Sequence, residues 1–170
     1  MSDPVYVGVV FKHPAYVKLE SDFPEISTYT QAFKEYWANG FHPMIGKDGI
    51  LPVPQVYALN AIGRVHLEPP VKKNNPASAT EKAWKDWRCS MDVALLPTSN
   101  KFLMYCVDDQ RDACLLGYLD GDEKDSHEVI KSWSFRNSIK AMSDEFYKKR
   151  DSAPMPISEH DLLFSEKWEF

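Results

Sequence analysis

The sequence predicts an α+β domain with a mainly antiparallel sheet of about four to five strands, an N-terminal helix and a long C-terminal helix. Short runs rich in β-branched and aromatic residues lie close together in the middle of the chain, as in an antiparallel meander. Apolar residues recur at helical spacing before and after this region. The 170 residues, 44 % of them hydrophobic, are enough for one continuous core.

The first predicted elements are a strand and a helix. Val5–Phe11 is dense in β-branched and aromatic residues, which favours a strand. A helix is expected from residue 27 or 28 to about 39, because apolar residues recur there at helical spacing and Gly40 follows as a stop signal. Residues 41–56 are expected to form a loop, since prolines and glycines interrupt the segment repeatedly.

The sheet is expected to come mainly from the middle of the chain. A strand over 61–67 ends before Pro69 and Pro70. Three further strands are predicted over 87–96, 101–107 and 113–119. The short polar links between these three indicate an antiparallel meander.

The C-terminal part of the sequence is predicted to be helical. Apolar residues near a period of 3.6 predict one helix from 126 or 127 to 150, and Pro154 and Pro156 end it. A short terminal helix is expected over 158–170. This tail is acidic and aromatic, and two arrangements stay open. It either lies over the basic segment 131–150 and competes with RNA, or it completes the core.

Composition excludes several classes of protein. No stretch approaches the roughly 18 apolar residues of a membrane span, and the N-terminus lacks the pattern of a signal peptide. Three cysteines in apolar contexts suit a reducing cytoplasm, and without a Cys-x-x-Cys pair no zinc site is expected. We therefore expect a cytoplasmic protein that needs no metal and does not enter membranes.

The charge distribution bears on nucleic-acid binding. The net charge of −5 opposes it, because phosphate contacts need a positive surface. Basic residues nevertheless outnumber acidic ones in 63–88 and again in 127–150. The two segments could form one RNA-facing surface, or they could be ordinary solvated faces.

Five short segments in a fixed order resemble one protein family. They are Pro43-Met44-Ile45-Gly46-Lys47-Asp48-Gly49, Arg64-Val65-His66-Leu67, Leu103-Met104-Tyr105-Cys106, the apolar run Ala113–Leu119, and a helix opening at His127 that contains Met142 and Phe146. In this order and at these spacings, over about 29–150, the chain resembles the YafO family of ribosome-dependent, mRNA-cleaving toxins from bacterial toxin–antitoxin operons. The resemblance rests on the order of the segments.

The resemblance implies a function and partners. It implies a cytoplasmic endoribonuclease that uses no metal or other cofactor, cleaves mRNA on the ribosome and is held in check by a cognate antitoxin protein. Residues 1–150 would form a single toxin-like domain with an insertion at 68–84, and 151–170 would be a C-terminal extension. The rival interpretation is a non-catalytic RNA- or protein-binding regulatory module, because a fold does not fix a function.

Cleavage of RNA without a metal needs a base, an acid and cations, and histidine suits the first two roles. His66 and Arg64 lie two apart on a predicted strand, so they share one face. His127 stands at the expected start of the long helix, where free N–H groups attract anions. The family has a histidine at the positions of both His66 and His127. His66, expected to be partly exposed, could instead be a residue that only packs or forms a hydrogen bond at a strand end. His127 could instead be a surface residue at a helix start.

Further candidates would bind the substrate or position the catalytic groups. Lys47 could hold phosphate while Asp48 orients a histidine, and the family has a basic residue followed by aspartate here; Asp48 could also simply form a tight turn. Tyr105 could stack on a base or could be an interior strand residue. Arg136 and Lys140 share a helical face that could reach RNA or be solvated.

Overall fold

The computed structural model describes residues 3–70, 79–90 and 96–170. Helices and strands follow one another in this order: β1 (Val10–Lys12), α1 (Pro14–Asp22), α2 (Ile26–Asn39), β2 (Ile45–Ile50), α3 (Gln55–Leu59), β3 (Ile62–Leu67), α4 (Ala79–Ser90), β4 (Phe102–Val107), β5 (Ala113–Leu119), α5 (Ser126–Val129) and α6 (Trp133–Arg150). Short 3₁₀ helices at Ile157–Leu162 and Glu166–Trp168 follow α6.

The five strands form one sheet in the order β1-β5-β4-β3-β2. Strands β2 to β5 pair antiparallel with their neighbours, and β1 pairs parallel with β5. The predicted α+β class, with its mainly antiparallel sheet, N-terminal helix and long C-terminal helix, is therefore confirmed. Within the described part of the chain, no helix has both the length and the apolar character needed to cross a membrane.

Each face of the sheet carries its own hydrophobic cluster, because side chains alternate along a strand. Along β4, Leu103, Tyr105 and Val107 point into a cluster with α1 and α2, which we call the α2 face. Phe102, Met104 and Cys106 point into the other cluster, with α3 and α6, which we call the α6 face. Each functional side chain on the sheet therefore belongs to one face or the other.

Two N-terminal predictions were wrong in detail. The first strand is confined to Val10–Lys12, because Gly8 adopts a left-handed φ of 113° and interrupts the extended run. A Cβ there would lie 2.2 Å from the carbonyl oxygen of Arg111. The expected loop at 41–56 contains β2 and the start of α3. An edge strand has only one neighbour and tolerates glycines and a bulge, which lies between Ile45 and Asp48.

Two later predictions also need correction. Residues 87–90 belong to helix α4 and not to a strand, because Trp84 and Trp87, three apart, are buried on one side of a helix. The remainder of that predicted strand, 91–95, and part of the insertion, 71–78, lie outside the described residues. The long C-terminal helix is divided, since Asp125 caps α5 and Ser132 starts α6 with a second cap.

The C-terminal tail completes the core. Met155, Leu163 and Trp168 are buried in the cluster on the α2 face, whereas α6 packs on the opposite face. The tail forms 3₁₀ turns in place of the expected terminal helix. The alternative in which the tail lies over the basic helix is therefore wrong.

A buried arginine ties the tail to the rest of the α2 face. The guanidinium of Arg111 donates hydrogen bonds to the carbonyl oxygens of Leu163 at 2.6 Å, Trp37 at 2.9 Å and Val7. Its Cζ lies 4.3 Å from the ring centroid of Trp37, and burial lowers the pKa of Arg111 to about 10. One side chain therefore connects the N-terminal segment, α2 and the tail.

Candidate functional site

The sheet separates the candidate residues into two groups. Arg64 and His66 share the α6 face, as strand alternation predicted, and Arg64 lies 4.7 Å above the ring of Phe102 on that face. Asp48 pairs with Val65 in the register of β2 and β3, so both point to the α2 face. Tyr105 also points there. The predicted site therefore cannot form as one cluster.

Asp48 does not orient a histidine, and this prediction was wrong. Its carboxylate accepts hydrogen bonds from the hydroxyls of Tyr36 and Tyr105, both at 2.7 Å. Burial raises the pKa of Asp48 to about 6, although these two hydrogen bonds act in the opposite direction. Because Asp48 lies within β2, the tight-turn interpretation was wrong as well. The carboxylate belongs to a buried polar cluster beneath α2.

Tyr105 is an interior residue. Its side chain is fully buried against Phe33 and Trp37, and burial raises the pKa of Tyr105 well above its usual value. It can neither stack on a base nor give a proton to a substrate at the surface. The substrate-binding role predicted for Tyr105 was wrong.

His66 is more buried than expected for a strand end, with 2 % of the residue exposed. Its Nδ1 lies 2.8 Å from the carbonyl oxygen and 2.9 Å from the amide nitrogen of Ser99, so the backbone of Ser99 holds the ring. Burial, followed by the charges of Arg64, His127 and Lys47, lowers the pKa of His66 to about 4. His66 is therefore neutral near pH 7 and packs edge-on against Phe102.

His127 is half-buried, and its orientation is fixed from one side. Its Nδ1 lies 3.0 Å from Asp125 Oδ1, which also accepts the backbone N–H of His127 at 2.9 Å. These contacts lower the pKa of Asp125, with the backbone hydrogen bond as the main cause. When Nδ1 carries the proton and donates a hydrogen bond to Asp125, the unprotonated Nε2 can accept a proton. The position differs from the prediction, because His127 lies in the short α5 and not at the start of the long helix.

The two histidines meet through Phe102. The His127 ring packs against Phe102 with 4.9 Å between centroids, and the centroids of His66 and His127 are 5.9 Å apart. His66 and His127 therefore lie close together on the α6 face. One of them is enclosed in the core, and the other faces solvent.

Beside these residues lies a concave surface of about 500 Å³, which we call the basic groove. Its wall is apolar and consists of Leu51, Pro52, Val53, Pro54 and Ile130. Its polar side is formed by Arg64, His127 and Lys131. A surface that combines an apolar wall with cations fits a ligand that has both an apolar part and an anionic part.

Arg64 is the cation in the basic groove whose charge is unmatched. Across residues 3–70, 79–90 and 96–170, no carboxylate pairs with its guanidinium and no hydrogen bond engages it. The acidic neighbours of the groove pair with its other two basic residues, Asp125 with His127 and Glu128 with Lys131 at 3.5 Å. Burial lowers the pKa of Arg64, and a half-buried guanidinium without a counterion is a suitable partner for phosphate.

The remaining predicted cations do not line the groove. Lys47 is exposed and near enough for its charge to act on His66, while its amide donates to the carbonyl oxygen of Pro97 at 2.9 Å. Gly46 permits this approach, since a Cβ there would lie 2.3 Å from the same oxygen. Phosphate binding by Lys47 stays a prediction.

Arg136 and Lys140, the two predicted cations of helix α6, differ in their surroundings. Lys140 forms an ion pair with Asp144 at 2.7 Å. The Nε atom of Arg136 is buried and has no hydrogen-bond partner in the part of the chain that the structure describes. Arg136 lies close enough to Tyr57 for its charge to lower the pKa of that hydroxyl, although burial raises this pKa overall. Contact of either cation with RNA stays a prediction.

Sequence reasoning missed three members of the site. Lys131 was counted only as part of a basic segment, Asp125 was not considered as a partner of His127, and Phe102 was treated only as a strand residue. A signal existed for Asp125, because an aspartate two residues before a histidine at a helix start is a capping pattern. Nothing local in the sequence places Phe102 under both Arg64 and His127.

The described residues contain no group of three or more histidine, cysteine, aspartate or glutamate side chains arranged to hold a metal ion. Comparisons with known proteins gave no match of any kind: no protein-family model, no curated protein and no solved structure matches this chain.

Asp48 and His66 are expected to give opposite pH dependences of stability. The pKa of Asp48 rises from 3.8 to about 6 on folding, so its contribution to the free energy of unfolding falls as pH rises across that range. The pKa of His66 falls from 6.5 to about 4 on folding, so its contribution is present above pH 6.5 and is lost as pH falls through that range. The two effects oppose each other in the intact protein.

Asp48→Asn should therefore expose the effect of His66 alone. We expect the free energy of unfolding of this variant to rise by up to about 3 kcal/mol between about pH 4 and pH 6.5. Urea unfolding at a series of pH values measures the profile, with wild type as the control. A variant whose profile has the same slope as wild type would contradict the assignment.

Proposed function

We propose that this protein is a metal-independent endoribonuclease that cleaves translated mRNA on the ribosome, as the cytoplasmic toxin of a toxin–antitoxin pair. The observation that carries the proposal is the pairing, on one groove, of the unmatched Arg64 with His127, whose Nδ1 is held by Asp125. The reaction needs a base, an acid and a cation for the phosphate, and His127, Lys131 and Arg64 could supply these in one groove. The ordered sequence segments agree with this assignment.

The reaction can be written with these groups. Nε2 of His127 takes the proton of a ribose 2′-hydroxyl, and the resulting oxygen attacks the adjacent phosphorus. The bond from phosphorus to the 5′-oxygen breaks, and the 5′-oxygen takes a proton from the ammonium of Lys131. The products are a 2′,3′-cyclic phosphate and a 5′-hydroxyl end. Arg64 stabilises the charge that develops on the phosphoryl oxygens.

The negative net charge of the chain supports the proposed dependence on the ribosome. The whole chain carries a net charge of −5, and the basic groove offers few cations. Free RNA is therefore bound weakly, because affinity for a phosphate backbone grows with the number of contacts. A ribosome that already holds the mRNA would supply the position that the protein cannot supply alone.

A reporter mRNA with and without its start codon tests this function. With the protein expressed, primer extension should find cleavage sites inside the translated reading frame and none in the untranslated copy. The ends should carry a 5′-hydroxyl, which resists ligation until a kinase adds phosphate. Equal cleavage of both transcripts would contradict the dependence on the ribosome. If the folded protein cleaves neither transcript, the assignment as a nuclease is wrong.

A non-catalytic RNA- or protein-binding module is the second candidate, and one observation favours it. His66, one of the two histidines that converge, is enclosed in the core and has a pKa lowered to about 4. The groove therefore has one accessible histidine where acid–base catalysis often uses two groups. In that case Arg64 would bind phosphate, and no strand would be cut.

A further inference from the structure

We propose that the apolar wall of the basic groove, extended by Trp133, is a stacking site for an unpaired nucleotide base. The substrate would then be single-stranded RNA, with phosphate at Arg64 and a neighbouring base on the apolar surface. This inference deepens the proposed function and rests on it, since both use the same groove.

Trp133 differs from every other tryptophan of the chain. The other four are at most 8 % exposed: Trp37, Trp84, Trp87 and Trp168. Trp133 is 72 % exposed and has no aromatic ring contact among the described residues. Packing in the core therefore does not explain why a large indole stands at this position. An exposed indole is the side chain on which bases stack most readily.

Trp133 lies near the groove along the chain. Trp133 begins α6, three residues after Ile130 and two after Lys131, both of which line the groove. Three residues span at most about 11 Å, so the Cα of Trp133 lies no further than that from the Cα of Ile130, and the proposed site places the base between the wall and the indole. Val53, on the apolar wall, is 73 % exposed as well.

The chemistry of the surface selects one kind of nucleic acid. The wall offers apolar surface and no side-chain amide or carboxylate that could read a base edge. It can therefore take the flat face of a base, which is free only when the base is unstacked. Bases inside a duplex already stack on both faces, so duplex RNA could reach Arg64 and Lys131 with its phosphates alone. The same contacts predict little sequence preference.

Binding measurements at low ionic strength test the proposal, with a short unstructured RNA, a duplex of the same sequence and inorganic polyphosphate as probes. Trp133→Ala should weaken binding of the single strand by about 5- to 100-fold, the usual contribution of one stacked base. It should leave binding of duplex and polyphosphate unchanged, and it should not alter the salt dependence. Trp133→Phe should keep most of the affinity, because a ring remains.

Two further variants complete the design. Phe170→Ala removes an aromatic side chain that is 89 % exposed near Val5, remote from the α6 face, and should change nothing. Arg64→Ala should weaken binding of all three probes and reduce the slope of affinity against salt by about one. Unchanged melting temperatures would show that the variants are folded.

The outcomes separate the two ideas. If Trp133→Ala binds the single strand as tightly as wild type while Arg64→Ala binds weakly, the stacking site is wrong and the phosphate site stands. If Arg64→Ala also binds like wild type, Arg64 is not a phosphate site, and the proposed function is contradicted as well. Equal losses for single strand and duplex would indicate that Trp133 touches the backbone, and they too would overturn the stacking site.

Discussion

His127→Ala is expected to lower the rate of mRNA cleavage by about 10²–10⁴-fold, which is the usual contribution of one general acid–base group. In the proposed reaction the imidazole is the base, and Asp125 holds its Nδ1 at 3.0 Å. Its side chain is 43 % exposed, so its removal should change the melting temperature little. Cleavage of a reporter mRNA in a purified translation system measures the rate.

Three comparison variants make this result specific. His42→Ala removes a histidine that pairs with Glu35 away from the groove, and it should cleave at the wild-type rate. Asp125→Asn should lose less activity than His127→Ala, because the imidazole remains but is held less firmly. His66→Ala should lower the melting temperature, since a side chain in the core is lost. Full activity of a folded His127→Ala variant would refute the assignment of His127 as the base.

Arg111→Ala is expected to lower the free energy of unfolding by about 3–5 kcal/mol. The substitution leaves three carbonyl oxygens without their donor, and each unsatisfied buried group costs about 1–3 kcal/mol. It also removes the cation that lies between the rings of Tyr6, Trp37 and Phe164. A fall in melting temperature of about 10 °C follows for a chain of this size, and calorimetry measures it.

Arg88→Ala provides the matched control for this prediction. Arg88 forms an ion pair with Glu68 at the surface, and exposed pairs contribute about 0–1 kcal/mol. Arg111→Lys should remain clearly destabilised, because one ammonium cannot reach three carbonyls that the planar guanidinium meets together. An Arg111→Ala variant as stable as Arg88→Ala would show that the tail and the N-terminal segment do not depend on this side chain.

Several parts of the fold could be predicted because their causes are local. The end of α2 was correct, since Gly40 adopts the left-handed conformation that commonly ends a helix. Arg64 and His66 were correctly placed on one face, because alternation depends only on the strand itself. The division of the C-terminal helix was missed although Ser132 is a common capping residue, because the apolar pattern continues across it.

The errors concern partners that lie far away in the sequence. Asp48 accepts a hydrogen bond from Tyr105, 57 residues further on, and no local pattern distinguishes that partner from a histidine. His66 is enclosed by Ser99, 33 residues away, and by Phe102, so its burial could not be seen at the strand end. The end of helix α4, residues 87–90, was taken for part of a strand because a few apolar residues do not settle the period.

The sequence by itself determined the α+β class, the pairing of β4 with β5, and the presence of cations and histidines suited to RNA. Only the tertiary structure decided which of them act together. The sheet places Asp48 and Tyr105 on one face and Arg64 and His66 on the other. The packing around the sheet then buries His66 and leaves the His127 side chain 43 % exposed. Secondary structure follows from the order of neighbouring residues, whereas burial and charge pairing follow from contacts between distant ones.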